Sequence, residues 1–246
     1  MHNGVGSNHF WRTIDWDQPW LTPYRARGQA ACAALDGGKT VAEALDSIAC
    51  ERRPKLAAGP VRFVAPSPLP ERMAYEAFIA KTACVPTRDN LHDLFNGLVW
   101  MTFPDLKRRL NELQAAQIEQ AGVAATRGPM RDALTLFDEN AAMWQAPPLL
   151  ADALRRRDWH ALFVTHRREW DAALPIVFGH ALMEKLVRPR KGITAHVWLG
   201  GADAALDDDA ALQRKPWLPM PVLGVPGWWP ANEDSGFYDD PEVFRR

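Results

Sequence analysis

The sequence predicts a mostly helical fold of the α+β class. It has a helical core, a small β-hairpin and strand element, and extended arms rich in Pro and Trp at both ends. Three observations predict it. Apolar residues recur at helical spacing through most of the stretch from Ala26 to Val187. Segments with strand character are short, at Val61–Val64, Ala133–Trp144 and Ile193–Leu199. Many of the 20 prolines gather at 54–70 and 216–230, where an interrupted backbone hydrogen-bond pattern disfavours regular elements. With 246 residues, 47% of them apolar and 24% charged, the chain has the composition of an ordinary globular protein able to bury a sizeable core.

The elements follow in order. Residues 1–24, with Trp11, Trp16 and Trp20, read as a docked N-terminal arm. Ala26–Cys50 reads as two helices broken at Asp36-Gly37-Gly38, the second started by Thr40 with Glu43 three residues on, a capping box. Val61–Val64 reads as a strand, followed by a Pro-rich linker over Ala65–Pro70 and a helix over Glu71–Ala83. Thr87 is the expected cap of a helix over Arg88–Phe103. Pro104 opens an amphipathic helix running through Leu106, Leu110, Leu113 and Ile118 to Gly122. Arg127-Gly128-Pro129 is a turn. Ala133–Trp144 alternates as a β-hairpin turning at Asp138-Glu139-Asn140, with a helix over Met130–Phe137 as the competing reading. Helices are expected at Pro147–Arg157, at Trp159–Trp170 after the cap residue Asp158, and over the strongly apolar Asp171–Val187. A strand follows at Ile193–Leu199. The whole chain, 1–246, reads as one domain: arm 1–24, core 25–214 and extended C-terminal arm 215–246.

Charge and cysteine content narrow the function classes. The net charge of −1 gives no basic excess of the kind duplex-binding domains use, so no nucleic-acid partner is expected. The three cysteines, Cys32, Cys50 and Cys84, form no CxxC pair, which excludes a zinc ribbon and predicts free thiols in a reducing compartment. The opening residues lack an apolar run, and no segment approaches the roughly 20 apolar residues of a membrane span. A cytoplasmic protein without a membrane partner is the expectation.

Candidate chemistry lies between Pro86 and His196. One face of the Arg88–Phe103 helix carries Leu91, Leu94, Phe95 and Leu98. The other carries Asp89, His92, Asp93, Asn96 and Trp100, with no Lys or Glu. His92 and Asn96 are neighbours one turn apart. His180 and Glu184 share the same spacing on a helix read as apolar nearly all round, where an ionised carboxylate needs a partner. They can satisfy each other structurally or share a metal. His196 lies in a strand pattern and is a possible third ligand. Arg127 and Arg131 flank the Gly-Pro turn, where two guanidinium groups can clamp an anion or pair locally with Asp132. GxGxxG, Walker, GxSxG and HExxH signatures are absent. The His92-Asp93 dyad lacks the helical upstream His that an HD-type phosphohydrolase requires.

Long blocks of the chain resemble a bacterial family known only as a domain of unknown function (DUF3025). The first runs from Pro86-Thr87-Arg88-Asp89-Asn90-Leu91-His92-Asp93-Leu94-Phe95-Asn96 to Pro104. The others are Arg127–Asp132 continuing to Asp138-Glu139-Asn140, Phe178–Leu186, Ile193–His196, and Pro226–Pro230 through Phe237–Asp240. Ala141 departs from the pattern, which has Gly after Asp-Glu-Asn. The resemblance implies one domain and no particular activity.

These residues give two principal expectations. The first is a metal-dependent hydrolase acting on an anionic small molecule. A divalent ion is held by His92, His180, Glu184 and His196; His92, Asp93 and Glu184 do the catalytic work; Arg88, Asn96, Arg127 and Arg131 bind the ligand. The second is a non-catalytic binding or scaffold protein whose polar residues form a structural network. A metal-independent enzyme using His92 or His180 as general acid/base is a third reading.

Overall fold

The computed structural model describes residues 9–49, 53–67, 69–71, 73–121, 128–201, 206 and 212–245. Most of the regular structure is helical, with small sheets between. Helices α1 (Arg25–Asp36) and α2 (Val41–Ile48) pack against each other. Gly38, at φ +89°, supplies the left-handed turn between them. The capping box is present: Glu43 N–H donates to Thr40 Oγ1 at 3.3 Å, and Thr40 N–H donates to Glu43 Oε2 at 2.8 Å.

Next comes a tight hairpin of β1 (Lys55–Leu56) and β2 (Gly59–Pro60). Strand β3 (Arg62–Val64) then pairs in parallel with β4 (Cys84–Pro86), the crossover being made by α3 (Tyr75–Thr82). Helix α4 (Leu91–Thr102) starts later than Thr87 suggested. Its cap is Asn90, whose Oδ1 accepts the Asp93 N–H at 2.8 Å. Thr87 is buried and donates to the Val85 carbonyl at 2.8 Å instead. Helix α5 (Pro104–Ala121) begins on its proline as expected.

Two expectations are corrected here. The stretch Ala133–Trp144 is not a hairpin. Helix α6 (Pro129–Asn140) runs through Asp138-Glu139-Asn140 and passes directly into strand β5 (Ala141–Trp144). Met130, Ala133, Leu134 and Phe137 are its buried face, the i, i+3, i+4, i+7 set of a helix. Ala141 accordingly sits at the head of a strand, in ordinary extended backbone with φ −77°, where no glycine is needed. The second correction concerns Asp171–Val187, which is not one helix. A short 3-10 segment ends at Ala172, Pro175 breaks the chain, and Ile176–Val177 form strand β6. Helix α8 covers only His180–Leu186. The apolar run Ile176-Val177-Phe178 belongs to a strand and its exit, yet His180 and Glu184 still share one helix.

Helix α7 (Pro148–Arg156) ends on Arg157 at φ 52°. A wide-turn helix at Ala161–Thr165 and the 3-10 segment Arg167–Ala172 occupy the expected Trp159–Trp170 helix. Strand β7 (Thr194–Leu199) and β8 (Leu218–Pro221) complete a sheet ordered β6-β5-β7-β8, with β5 and β7 parallel and the other pairs antiparallel. Every residue of the central strand β5 is buried, as expected of a strand covered on both faces. One contiguous core joins these layers to both arms. The Tyr24 hydroxyl donates to the Val177 carbonyl at 2.6 Å. Trp228, Phe237, Tyr238 and Phe244 bury the C-terminal segment, which carries β8 and short 3-10 turns. No helix among the described residues is long and apolar enough to cross a membrane. Cys32 and Cys84 are free thiols; Cys50 lies outside the described residues.

Candidate metal centre

Three helix segments meet at one cleft. The first turn of α4 brings His92, the last turn of α6 brings Asp138 and Glu139, and the start of α8 brings His180 and Glu184. The backbones of α6 and α8 approach so closely that only glycine fits at position 179. A Cβ there would lie 2.5 Å from both Asn140 N and Glu139 O. The Phe178 and Gly179 N–H groups both donate to the Ala141 carbonyl at 2.9 Å, which fixes the entry of α8 against the junction of α6 with β5.

The donor atoms converge. His92 Nε2 and His180 Nε2 are 3.0 Å apart. Glu139 Oε2 is 3.4 Å from His180 Nε2 and 3.9 Å from His92 Nε2. Ligands of a four-coordinate ion with bonds of about 2.1 Å stand about 3.4 Å apart, so these spacings bracket a shared ion. Behind His92, its Nδ1 lies 3.0 Å from Glu184 Oε2. With the proton on Nδ1 donated to that carboxylate, the Nε2 lone pair is turned toward the convergence point. This is the carboxylate–histidine arrangement that orients metal-binding imidazoles. His180 is buried. Burial pushes its pKa down to about 3, against the opposing pull of Asp138, so at neutral pH the ring is uncharged, the form that ligates.

A second polar layer supports this set. Lys107 is buried, donating to Asp138 Oδ1 at 2.6 Å and to Asn96 Oδ1 at 2.9 Å, and its Nζ lies 5.2 Å from the Trp100 ring centroid. Burial would raise the Asp138 carboxyl, but the Lys107 ammonium beside it outweighs that and holds it below its usual value. Glu139 shifts the other way. Its own burial and the neighbouring Asp138 push it up, and a cation at the convergence point would relieve both. Asn96 also donates to the Tyr75 hydroxyl at 3.2 Å. The cleft in front of these residues holds about 340 Å³. Arg88 stands at its mouth with 63% of the side chain exposed, paired with Asp93 through Nε to Oδ2 and Nη2 to Oδ1 at 3.0 Å each.

The sequence-predicted residues separate clearly. His92, His180 and Glu184 come together, and Glu184 serves as the partner of His92 Nδ1 rather than reaching the convergence point. Asp93 is not poised as a catalytic group. Its carboxylate is occupied by the Arg88 side chain and by the Arg88 N–H at 2.6 Å. Asn96 lines the cleft but is tied to Lys107 and Tyr75. His196 is not part of the group: it lies on β7, in register with Ala141, and lines a different cleft. Arg131 sits at the opposite end of α6 from Glu139 and lines neither cleft. Arg127 lies outside the described residues. The role that sequence reasoning missed is that of Glu139, read only within the Arg and carboxylate set as part of an Asp138-Glu139-Asn140 turn. Continuing the buried helical period from Phe137 by one turn would have placed both acids on α6.

The family described as Protein of unknown function (DUF3025) matches this sequence over residues 61–214 and 201–246. Comparison with curated proteins and with solved structures yields no match. The convergent residues His92, Glu139 and His180, and their neighbours Asp138 and Glu184, all fall within the matched range, and the chain belongs to the DUF3025 family.

Proposed function

We propose that the protein is a metal-dependent hydrolase of a small molecule that carries an anionic group. The observation that supports this most is the convergence of His92 Nε2, His180 Nε2 and Glu139 Oε2 within 4.8 Å of one another, at the wall of an open cleft. Two imidazoles and one carboxylate are the ligand set of catalytic zinc sites, which keep a fourth position for water. A divalent ion there lowers the pKa of bound water toward 7 and polarises a carbonyl or phosphoryl oxygen. His92 and His180 would hold the ion through Nε2, Glu139 would give it a negative ligand, and Glu184 would fix the orientation of His92. The cleft is itself rich in acids, so the anionic group of the substrate belongs at the mouth, where the outer edge of Arg88 is exposed. A volume of about 340 Å³ suits a metabolite rather than a polymer.

Elemental analysis and a chromogenic ester panel test this reading. The expected result is one transition-metal ion per chain, lost in His180→Ala and Glu139→Gln and kept in His196→Ala, with ester or phosphoester hydrolysis following the metal. Protein grown in metal-supplemented medium that holds no ion would overturn it. Ion binding without turnover would support the non-catalytic binding protein instead.

A further inference from the structure

The end of α8 and the turn that leads from it into β7 carry four cations, one of them paired with an acid among the described residues. Lys185, Arg188, Arg190 and Lys191 fall within seven residues of a chain whose net charge is −1. Lys191 is paired with Asp240 at 3.0 Å. Lys185 donates to the neutral Asn140 Oδ1 at 2.7 Å. No ion pair of Arg188 or Arg190 is found among the described residues.

Beside this turn lies a second cleft, of about 530 Å³, lined by Asn140, Lys185, Arg190, Gly192, Ile193, Thr194 and His196, with no carboxylate among its described walls. Strand alternation puts Thr194 and His196 on one face of β7, while Ala195 and Val197 point into the core. His196 Nδ1 is buried and has no hydrogen-bond partner. The tautomer protonated on Nε2 avoids an unpaired buried N–H, and it leaves Nε2–H as the donor that the ring offers a ligand. A concave surface with cations of one sign focuses their field on an incoming anion.

We propose that this cleft is an oxyanion-binding site, in which Lys185 and Arg190 hold the phosphoryl or carboxylate group of a small molecule and Thr194 and His196 donate hydrogen bonds to it. Arg190 supplies the planar fork that suits two oxygens at once. Lys185 supplies the compact charge, already positioned by Asn140. The site does not depend on the metal reading. The two clefts nevertheless take consecutive residues of α6 into their walls, Glu139 in one and Asn140 in the other.

Titration of inorganic phosphate, and separately of citrate, into the full chain followed by amide-resolved NMR tests the proposal. Saturable shifts are expected at Lys185 and at Gly192–His196, with the stronger of the two anions naming the preferred chemistry. Loss of one charge-assisted hydrogen bond should weaken binding about tenfold or more in Arg190→Gln. Lys215→Gln, which removes a surface cation paired with Asp132 at 3.2 Å, should leave the affinity unchanged. Shifts that never saturate, equal weakening in both variants, or shifts confined to His92, Glu139 and His180 would each overturn the proposal. Both substitutions are on exposed side chains, and unchanged melting temperatures confirm that each variant is folded.

Discussion

Substituting Glu184 by Gln should weaken metal binding without removing a ligand. The substitution keeps an oxygen acceptor for His92 Nδ1 but takes away the charge that makes the 3.0 Å contact strong. Loss of such a supporting partner lowers metal affinity about 10- to 100-fold. The effect is readable as stability, because an ion that binds only the folded state stabilises it by mass action. At free metal a hundredfold above the wild-type Kd, that stabilisation is about 2.7 kcal/mol. For a chain of this length each kcal/mol moves Tm by about 2–4 °C, so the shift on adding metal is about 5–11 °C. At the same metal concentration the variant sits only about 1–10 times above its own Kd, and its stabilisation falls to about 0.4–1.4 kcal/mol. Scanning fluorimetry with and without zinc, cobalt or manganese measures both. A Glu184→Gln shift equal to that of wild type, or a wild-type shift that persists in His180→Ala, would refute the assignment of Glu184 as the residue that orients His92.

Other outcomes follow from the same geometry. Lys107→Met should destabilise the fold by about 3–5 kcal/mol in urea unfolding, because Asp138 is left as an uncompensated buried charge, and adding Asp138→Asn should restore part of the loss. Gly179→Ala forces a Cβ to within 2.5 Å of the α6 backbone, so it should cost about 1–3 kcal/mol and weaken metal binding together with stability. A variant with wild-type stability would show that α8 shifts freely. Burial would raise the Asp46 carboxyl, but the Arg53 guanidinium and the Phe63 N–H outweigh it and hold it below its ordinary value. A carboxyl lowered in the folded state contributes stability that is complete above its unfolded pKa of about 3.9 and is lost as the pH falls through the folded value. Wild type should therefore lose more stability between pH 7 and pH 3 than Asp46→Asn, measured by urea unfolding at both pH values.

The helices were legible where local chemistry sets them. The capping box at Thr40 and Glu43 and the proline opening α5 appear in the structure as read, and His92, Asp93 and Asn96 lie on α4, whereas Asp89 precedes that helix and Trp100 packs into the core. The errors came from ambiguity between periods. Ala133–Trp144 contains both a helix and a buried strand joined without a turn, and the acids that end the helix look like loop residues. Asp171–Val187 is apolar enough to suggest a continuous buried helix. Pro175 breaks it, and the hydrogen bonds of β6 go to β5, a partner distant in sequence. The same limit applies to the site. The placement of His180 and Glu184 on one helix is local and holds, although Glu184 pairs with His92 and not with His180. That His92 meets His180 across 88 residues, and that Glu139 rather than His196 joins them, is set by tertiary contacts that periodicity does not encode.

The close approach at Gly179 divides the candidate centre into a fixed jaw and an adjustable one. Glu139 and His180 stand on two backbones in direct contact, without side-chain packing between them to yield. The backbone positions from which these two side chains start are therefore closely fixed. His92 reaches the same point from α4 through a side chain steadied by Glu184, and rotation about its own bonds can open or close the gap. Ions of different radius would then be accommodated by rotation of the His92 and Glu139 side chains. Selectivity among them would be tuned by how firmly Glu184 holds that one ring.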